Sequence, residues 1–288
     1  MSYKVPLQWR ILSISSSRIP NRRRGGSVKI FLIALSAAFL LGCAKQERIP
    51  VNAQKSSVQV EKKQTSPDYW LSKENWTISD PFTELDENLW NAVNREENYN
   101  NELQAYSKSQ ANTEDGRLSL TAERHGTGYR SGLIDTKGKV SIHYGTIEFR
   151  AKLPLGKGFF PAVWLLPAED KPLPEIDILE SIGEPEVFMV QHWSEGDELR
   201  SRYDSLNLSE PESFHTYRLE WTEEKVTWKI DGKVRFESYK NIPDEPMYLT
   251  LNLAVGGDWP GSPDSSTPFP SAFVIDYVTI TQTGGKPQ

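Results

Sequence analysis

Pro174-Glu175-Ile176-Asp177-Ile178-Leu179-Glu180-Ser181 interleaves three carboxylates with large aliphatic residues. Successive side chains of an extended chain point to opposite faces, so Glu175 and Asp177 share one face and Ile176 and Ile178 the other. Glu180 breaks the alternation. It stands five positions after Glu175, an odd offset that turns it toward the core unless one extra residue, at Ile178 or Leu179, is absorbed by a β-bulge. The spacing therefore predicts a bulged strand with all three acids on one face. With the bulge, Glu175 and Glu180 lie about four strand steps apart, roughly 13 Å between Cα atoms.

Two glutamate side chains leaning together close most of that gap. Their carboxyls can then approach the roughly 5–5.5 Å at which one attacks a sugar carbon while the other protonates the leaving oxygen, with the shorter Asp177 between them. The alternative is a solvated acidic strand, since charged residues often alternate on an exposed sheet face.

Outward from this strand the chain reads as β throughout. Leu118–Ala122, Gly145–Leu153, Phe188–Trp193, Phe214–Trp221, Met247–Leu253 and Phe273–Thr281 favour extended structure. Between Val226 and Phe236, Asp231-Gly232 separates two strand-like runs, a strong signal for a two-residue hairpin turn. Helix is expected only as a short turn over Glu84–Asn91. Many short strands with turn signals between them imply an antiparallel sandwich or barrel.

The composition suits one large globular domain with appendages: 37% of the 288 residues are hydrophobic and the net charge is −6. No basic stripe follows the N-terminal region, so nucleic acid is not an expected partner. Nine tryptophans is an unusual number; aromatic side chains serve cores first, but a surplus in an extracellular protein also suits stacking on sugar rings. The single cysteine, Cys43, excludes an intramolecular disulfide.

Lys29 precedes a twelve-residue apolar run, Ile30 to Leu41, followed by Gly42-Cys43. That run is too short to span a bilayer of roughly 30 Å comfortably. Leu40-Leu41-Gly42-Cys43 resembles the lipobox of bacterial lipoprotein signals. The resemblance implies cleavage before Cys43, lipidation of Cys43, and attachment to a membrane of the bacterial cell envelope, facing the periplasm or the exterior. The chain then divides into an N-terminal extension and signal over 1–43, a polar tether over 44–68, a catalytic domain over 69–283 and a short tail over 284–288.

Ser131-Gly132-Leu133-Ile134-Asp135, Tyr144-Gly145-Thr146-Ile147-Glu148-Phe149-Arg150-Ala151 and Pro161-Ala162-Val163-Trp164-Leu165-Leu166-Pro167 precede the acidic strand. Asn100-Asn101-Glu102-Leu103-Gln104 lies upstream of them and Asn252-Leu253-Ala254-Val255-Gly256-Gly257-Asp258-Trp259-Pro260-Gly261 downstream. In this order they resemble glycoside hydrolase family 16 in its laminarinase-like branch, over nearly the whole domain. The resemblance implies a β-jelly roll of two curved antiparallel sheets with a concave substrate cleft. It also implies endo-hydrolysis of β-linked polysaccharide with retention of configuration, most of all β-1,3-glucan or mixed β-1,3/1,4-glucan. Glu175 then matches the nucleophile, Asp177 its electrostatic helper and Glu180 the acid/base.

Asn101, Glu102, Trp164, His192, Trp193, Asn252 and Trp259 match cleft positions, with Trp164 and Trp259 before the cleaved bond. No cofactor is required by this chemistry. A structural calcium on the convex side is implied by the match of Asp276 to a family aspartate, although the acidic pair common near the first strand is here Asp80-Pro81. The connection Ala168–Pro174 is short and lacks the Gly-Trp-Pro common in laminarinases, and Phe160 stands where tryptophan is frequent. Agarase-like or carrageenase-like hydrolysis and transglycosylation therefore stay open, as does a sugar-binding lipoprotein without catalysis. A monomer is expected.

Overall fold

The computed structural model describes residues 75–283. Cys43, the apolar run before it and the polar stretch over 44–68 lie outside the described residues. The strands, in chain order, are β1 (Trp76–Asp80), β2 (Asn91–Ala92), β3 (Gln104–Tyr106), β4 (Ala111–Glu114), β5 (Arg117–His125), β6 (Gly128–Ser131), β7 (Leu133–Asp135) and β8 (Gly145–Lys152). They continue as β9 (Phe159–Pro167), β10 (Glu175–Ser181), β11 (Glu186–Glu195), β12 (Glu198–Asn207), β13 (His215–Trp221), β14 (Val226–Ile230), β15 (Lys233–Ser238), β16 (Met247–Val255) and β17 (Ser271–Gln282). One sheet runs β15-β14-β13-β8-β17-β5-β6-β3, with β1 beside β17 and β4 beside β5; the other runs β12-β11-β10-β9-β16-β7-β2. Among the described residues only the short β3–β6 pair is parallel.

The strand patterns explain the layering. In β8 and β13 buried and half-buried residues alternate, so one face meets the core and the other faces solvent. Ile147 and Phe149 of β8 and Tyr217 and Leu219 of β13 meet Val163, Leu165, Ile176 and Leu251 of the opposing sheet in one apolar core. Phe149 stacks on Tyr217 at 5.1 Å, and truncating such a buried aromatic to alanine costs about 3–5 kcal/mol. Strand β16 is buried along its whole length, because its second face is covered by the side chains of the cleft.

The bulge is where the alternation required it. On the β9 side Asp177 pairs with Trp164 and Leu179 with Val163, leaving Ile178 as the extra residue. On the β11 side Asp177 pairs with Val190 and Glu180 with Phe188.

The short helical turn expected over Glu84–Asn91 is confined to Asp86–Trp90. One carboxylate oxygen of Asp80 accepts the Phe82 N–H at 2.8 Å and the other the Trp90 indole N–H at 2.8 Å. Trp90 is thereby drawn into the core and Asn91 into β2, leaving a single turn closed by the Trp90 N–H on the Asp86 carbonyl. A long-range contact made by one buried indole overrides the local helical preference.

The turn between β14 and β15 is Asp231-Gly232, both at positive φ, 53° and 73°, as the mirror-image hairpin turns demand. Asp231 does more than turn. Its Oδ1 accepts the Thr216 N–H at 3.0 Å, and its Oδ2 meets His215 Nδ1 at 2.8 Å. His215 Nε2 faces the Glu210 carbonyl at 2.9 Å. Both ring nitrogens thus face acceptors, which requires both to carry protons. The hydrogen bond to Asp231 raises the His215 pKa above its ordinary value, against the opposing effect of burial.

This gives a pH-dependent fastening of the hairpin. A histidine whose pKa is raised in the folded state contributes stability that is full below its unfolded value of about 6.5 and is lost as pH rises through the folded value. The difference in melting temperature between the native chain and a His215→Gln variant is accordingly expected to be largest near pH 6 and to shrink toward pH 9. Thermal denaturation across that range checks it; a difference that grows with pH would contradict it.

Candidate active site

Strand β10 lies inside its sheet, between β9 and β11, and delivers the three acids. Antiparallel partners share a face, so rows can be followed across the sheet. Glu175 stands opposite His192, Asp177 opposite Val190 and Trp164, and Glu180 opposite Phe188 and Ala162. Ala162 in turn stands opposite Asn252 on β16. All these residues therefore share the cleft face. Trp193 does not: one residue after His192, on a stretch without register slip, it lies on the opposite face of the sheet.

Trp228 holds the bulge from behind. Its indole, 1% exposed, donates to the Asp177 backbone carbonyl at 2.9 Å, and its ring stacks on Phe236 at 4.7 Å. The residue immediately before the inserted Ile178 is thus anchored to the opposing sheet. Nothing local in the sequence marks Trp228 for this role, since it comes from strand β14.

Asp177 is the most enclosed of the acids, at 2% exposure. His192 Nε2 approaches its Oδ2 to 3.3 Å without the alignment of a hydrogen bond. One donor atom each from Glu175, Asp177 and His192 lies within 4.8 Å of the others. Burial, followed by the neighbouring charges of Asp177 and Glu180, pushes Glu175 upward, and burial followed by the charge of Asp177 pushes Glu180 upward. Burial and mutual repulsion thus oppose ionisation of Glu175 and Glu180 together. Such a site holds one carboxyl as an acid beside another as a base.

The wall on the β9 side is a chain of hydrogen bonds. Trp164 Nε1 donates to Asn252 Oδ1 at 2.8 Å, and Asn252 Nδ2 donates to the Tyr106 hydroxyl at 3.1 Å. Trp259 packs edge-on against Phe188 at 4.8 Å and Phe160 at 5.4 Å, which places it beside the Glu180 end of β10.

Two loops hold Trp259 there. The Leu103 N–H donates to the Val255 carbonyl at 2.7 Å and the Asp258 N–H to the Asn100 carbonyl at 2.8 Å. Asn101 Nδ2 donates to Asp258 Oδ1 at 2.8 Å. Gly256 is at φ 72°, and a Cβ there would stand 2.6 Å from the Leu103 side chain, so that position tolerates no side chain. Gln104 links both loops, accepting the Val255 N–H at 2.7 Å and donating to Glu102 at 2.8 Å. Burial raises the Glu102 pKa against the lowering effect of that hydrogen bond. Asn101 and Glu102 therefore sit in the loop pair beside Trp259, and Gln104 and Tyr106, whose roles the sequence reading did not assign, are its buried supports.

Asp276 lies apart, on β17 of the other sheet. Its Oδ2 is 2.8 Å from Arg150 Nη1 and its Oδ1 is 3.5 Å from Arg117 Nε. With Asp80 committed to Phe82 and Trp90, these residues do not fit a calcium ion: the cation would meet two guanidinium groups already matched to the carboxylate. Among the described residues, the one group of three converging metal-type donors is Glu175, Asp177 and His192.

A cleft across a bulged β-sandwich strand, with clustered buried carboxyls and aromatic walls, is the architecture of a carbohydrate-cleaving protein. Residues 96–278 match the family model for glycosyl hydrolases family 16, and the chain belongs to that family. It is 32% identical, over 63% of its length, to the glucan endo-1,3-beta-glucosidase A1 of Niallia circulans, and 31% identical over 63% to a beta-glucanase of Rhodothermus marinus. The match spans 32% of the Niallia protein and 74% of the Rhodothermus protein. The laminarinase catalytic domain of Thermotoga maritima superposes with TM-score 0.64 at 31% identity, covering 73% of this chain and 99% of that one.

Two expectations follow. Trp228→Phe keeps the stacked ring but leaves the Asp177 carbonyl buried without its donor, and is expected to lower stability by about 1–3 kcal/mol; turnover should fall further than stability, because the Glu175-to-Glu180 spacing loses its anchor. Chemical denaturation beside initial rates measures both. Chelation with EDTA is expected to leave the melting temperature of the full chain unchanged, whereas Arg150→Gln should lower it; a drop on chelation that calcium restores would refute the arginine pairing as the fastening of Asp276.

Proposed function

We propose that this protein is an endo-acting, retaining glycoside hydrolase of β-linked glucan, β-1,3-linked or mixed β-1,3/1,4-linked. The observation that carries the reading is the single bulge that turns Glu175, Asp177 and Glu180 to one face of β10 within a walled cleft. In the first step Glu180 gives its proton to the glycosidic oxygen as the carbon–oxygen bond breaks, and a Glu175 oxygen bonds the anomeric carbon. In the second, Glu180, now a carboxylate, takes a proton from water, whose oxygen attacks the same carbon and releases Glu175. Asp177, with His192 beside it, holds the charge and orientation of Glu175 and makes no bond to sugar.

The charge of the cleft favours a neutral chain. Glu102 and the three acids of β10 line it, and a sulfated galactan would bring anionic groups against them. That argues against a substrate like that of the keratan-sulfate endo-1,4-beta-galactosidase of Sphingobacterium multivorum, to which the chain is 25% identical. From the sequence alone we infer that Cys43 is acylated and tethers the enzyme to a membrane; the polar stretch 44–68 then gives the domain reach. Fatty-acid labelling should be lost in Cys43→Ser.

Incubating the full chain with laminarin, lichenan, agarose and carrageenan tests the substrate. Intermediate-sized products from laminarin or lichenan, and none from carrageenan, are expected; no cleavage of any would sink the reading.

Glu175→Gly should lower turnover by about 10⁴-fold or more, and azide should restore cleavage of an activated substrate with inverted configuration. Glu180→Ala should give a fast first turnover and a slow second with a leaving group that needs no proton. Because Glu180 must be protonated to donate, kcat/KM should fall as pH rises through its raised pKa, and this alkaline limb should vanish for Glu180→Ala on the activated substrate. An inverted azide product from Glu180→Ala instead would exchange the two roles.

A further inference from the structure

Strands β11 and β12 are ten residues each and pair without a slip from Glu186↔Asn207 to Glu195↔Glu198. The cleft rows therefore continue beyond the catalytic strand to the edge of the sheet. Val190, opposite Asp177, stands opposite Tyr203; His192 stands opposite Ser201 and Phe188 opposite Ser205. Tyr203 is thus on the cleft face, in the row of Asp177, two strands away from it, or roughly 10 Å. It is 49% exposed, and its same-face neighbours along β12, Ser201 and Ser205, are too small to cover the ring. Trp164 and Asn252 lie on the opposite side of β10, and Trp259 sits over its Glu180 end against Phe188 of β11 and Phe160 of β9. The β12 side offers one aromatic platform in line with the acids, on the strand where the sheet ends.

We propose that Tyr203 is an acceptor-side stacking platform, a specificity-determining residue that receives the second sugar beyond the cleaved bond. The inference rests on the hydrolase reading above and on the placement of Trp164 before the cleaved bond that the family resemblance implies. A leaving group of at least two sugars then gains a contact that a shorter one lacks. The chain is therefore positioned on the cleft from both ends, which favours cuts well inside a polymer. The same platform holds an incoming sugar acceptor during the second step, when its hydroxyl competes with water for the anomeric carbon.

The test compares the full native chain with Tyr203→Ala, Tyr203→Phe and Tyr203→Trp on two substrates. One is a reducing-end-labelled β-glucan oligosaccharide, the other an aryl β-glucoside oligomer with nitrophenolate as its leaving group and no acceptor sugar. For Tyr203→Ala, KM for the oligosaccharide should rise about three- to tenfold, the scale of one aromatic contact, with little change in kcat. The cuts should shift toward bonds with fewer sugars on the leaving side. Kinetics on the aryl substrate should be unchanged, and Tyr203→Phe and Tyr203→Trp should keep the native cutting pattern. An unaltered pattern and KM in Tyr203→Ala, or equal losses on both substrates, would overturn the proposal while leaving the hydrolase reading intact. Failure of the native chain on both substrates would remove that reading and the proposal with it.

Discussion

Everything chemical in this domain depends on one extra residue in one strand. Without Ile178 as an insertion, β10 would alternate strictly, and Glu180 would face the apolar core, where an ionisable side chain without partners costs several kcal/mol. The insertion frees the strand from its ladder locally, so it has to be held by something else. Trp228 supplies that hold from the opposing sheet, its indole on the Asp177 carbonyl. The core and the active site are in this sense one construction: the contact that closes the sandwich also sets the spacing of the acids. The same enclosure that makes the strand rigid raises the cost of ionising Glu175 and Glu180, and catalysis of this type requires that cost.

The acids, the bulge and the hairpin at Asp231-Gly232 were legible in the sequence because each is local. Parity over six residues fixes the bulge, and a two-residue turn needs no distant partner. The jelly roll came from resemblance, since alternating strands are compatible with several sandwiches and barrels. How short the helical turn over Glu84–Asn91 is was not readable, because the deciding contact joins Trp90 to Asp80 and competes with local preference. Trp193 was placed with the cleft residues by its neighbourhood, but alternation from His192 turns it to the other face. Trp228 and Tyr203 gave no signal at all. Their importance arises only when strands separated in sequence are brought into register.

The two sides of the cleft are made on different principles. Toward β16 the walls are polar chains and buried side chains, with Trp164, Asn252 and Tyr106 tied in series. Toward β12 the wall is plain sheet, with its regularity unbroken and its side chains open to solvent. Positioning by a fixed hydrogen-bond chain is stiff and selective, whereas an exposed ring on a regular strand accepts any sugar face of the right size. On the proposed reading, the side toward β16 sets which sugar is recognised, and the side toward β12 sets how much chain is engaged.

The loop pair around Gly256 carries a consequence for how such domains can diverge. Asn101 and Asp258 are 157 positions apart, yet neither loop keeps its shape without the other: the carbonyl of Asn100 needs Asp258, that of Val255 needs Leu103, and Gly256 leaves room for Leu103 alone. Genetic exchange that replaces one of these segments with a relative's version breaks the match and releases Trp259, even if both parents are sound. The two segments must therefore be inherited as a unit, and recombinants in this family should survive most often when their crossovers leave both loops to the same parent.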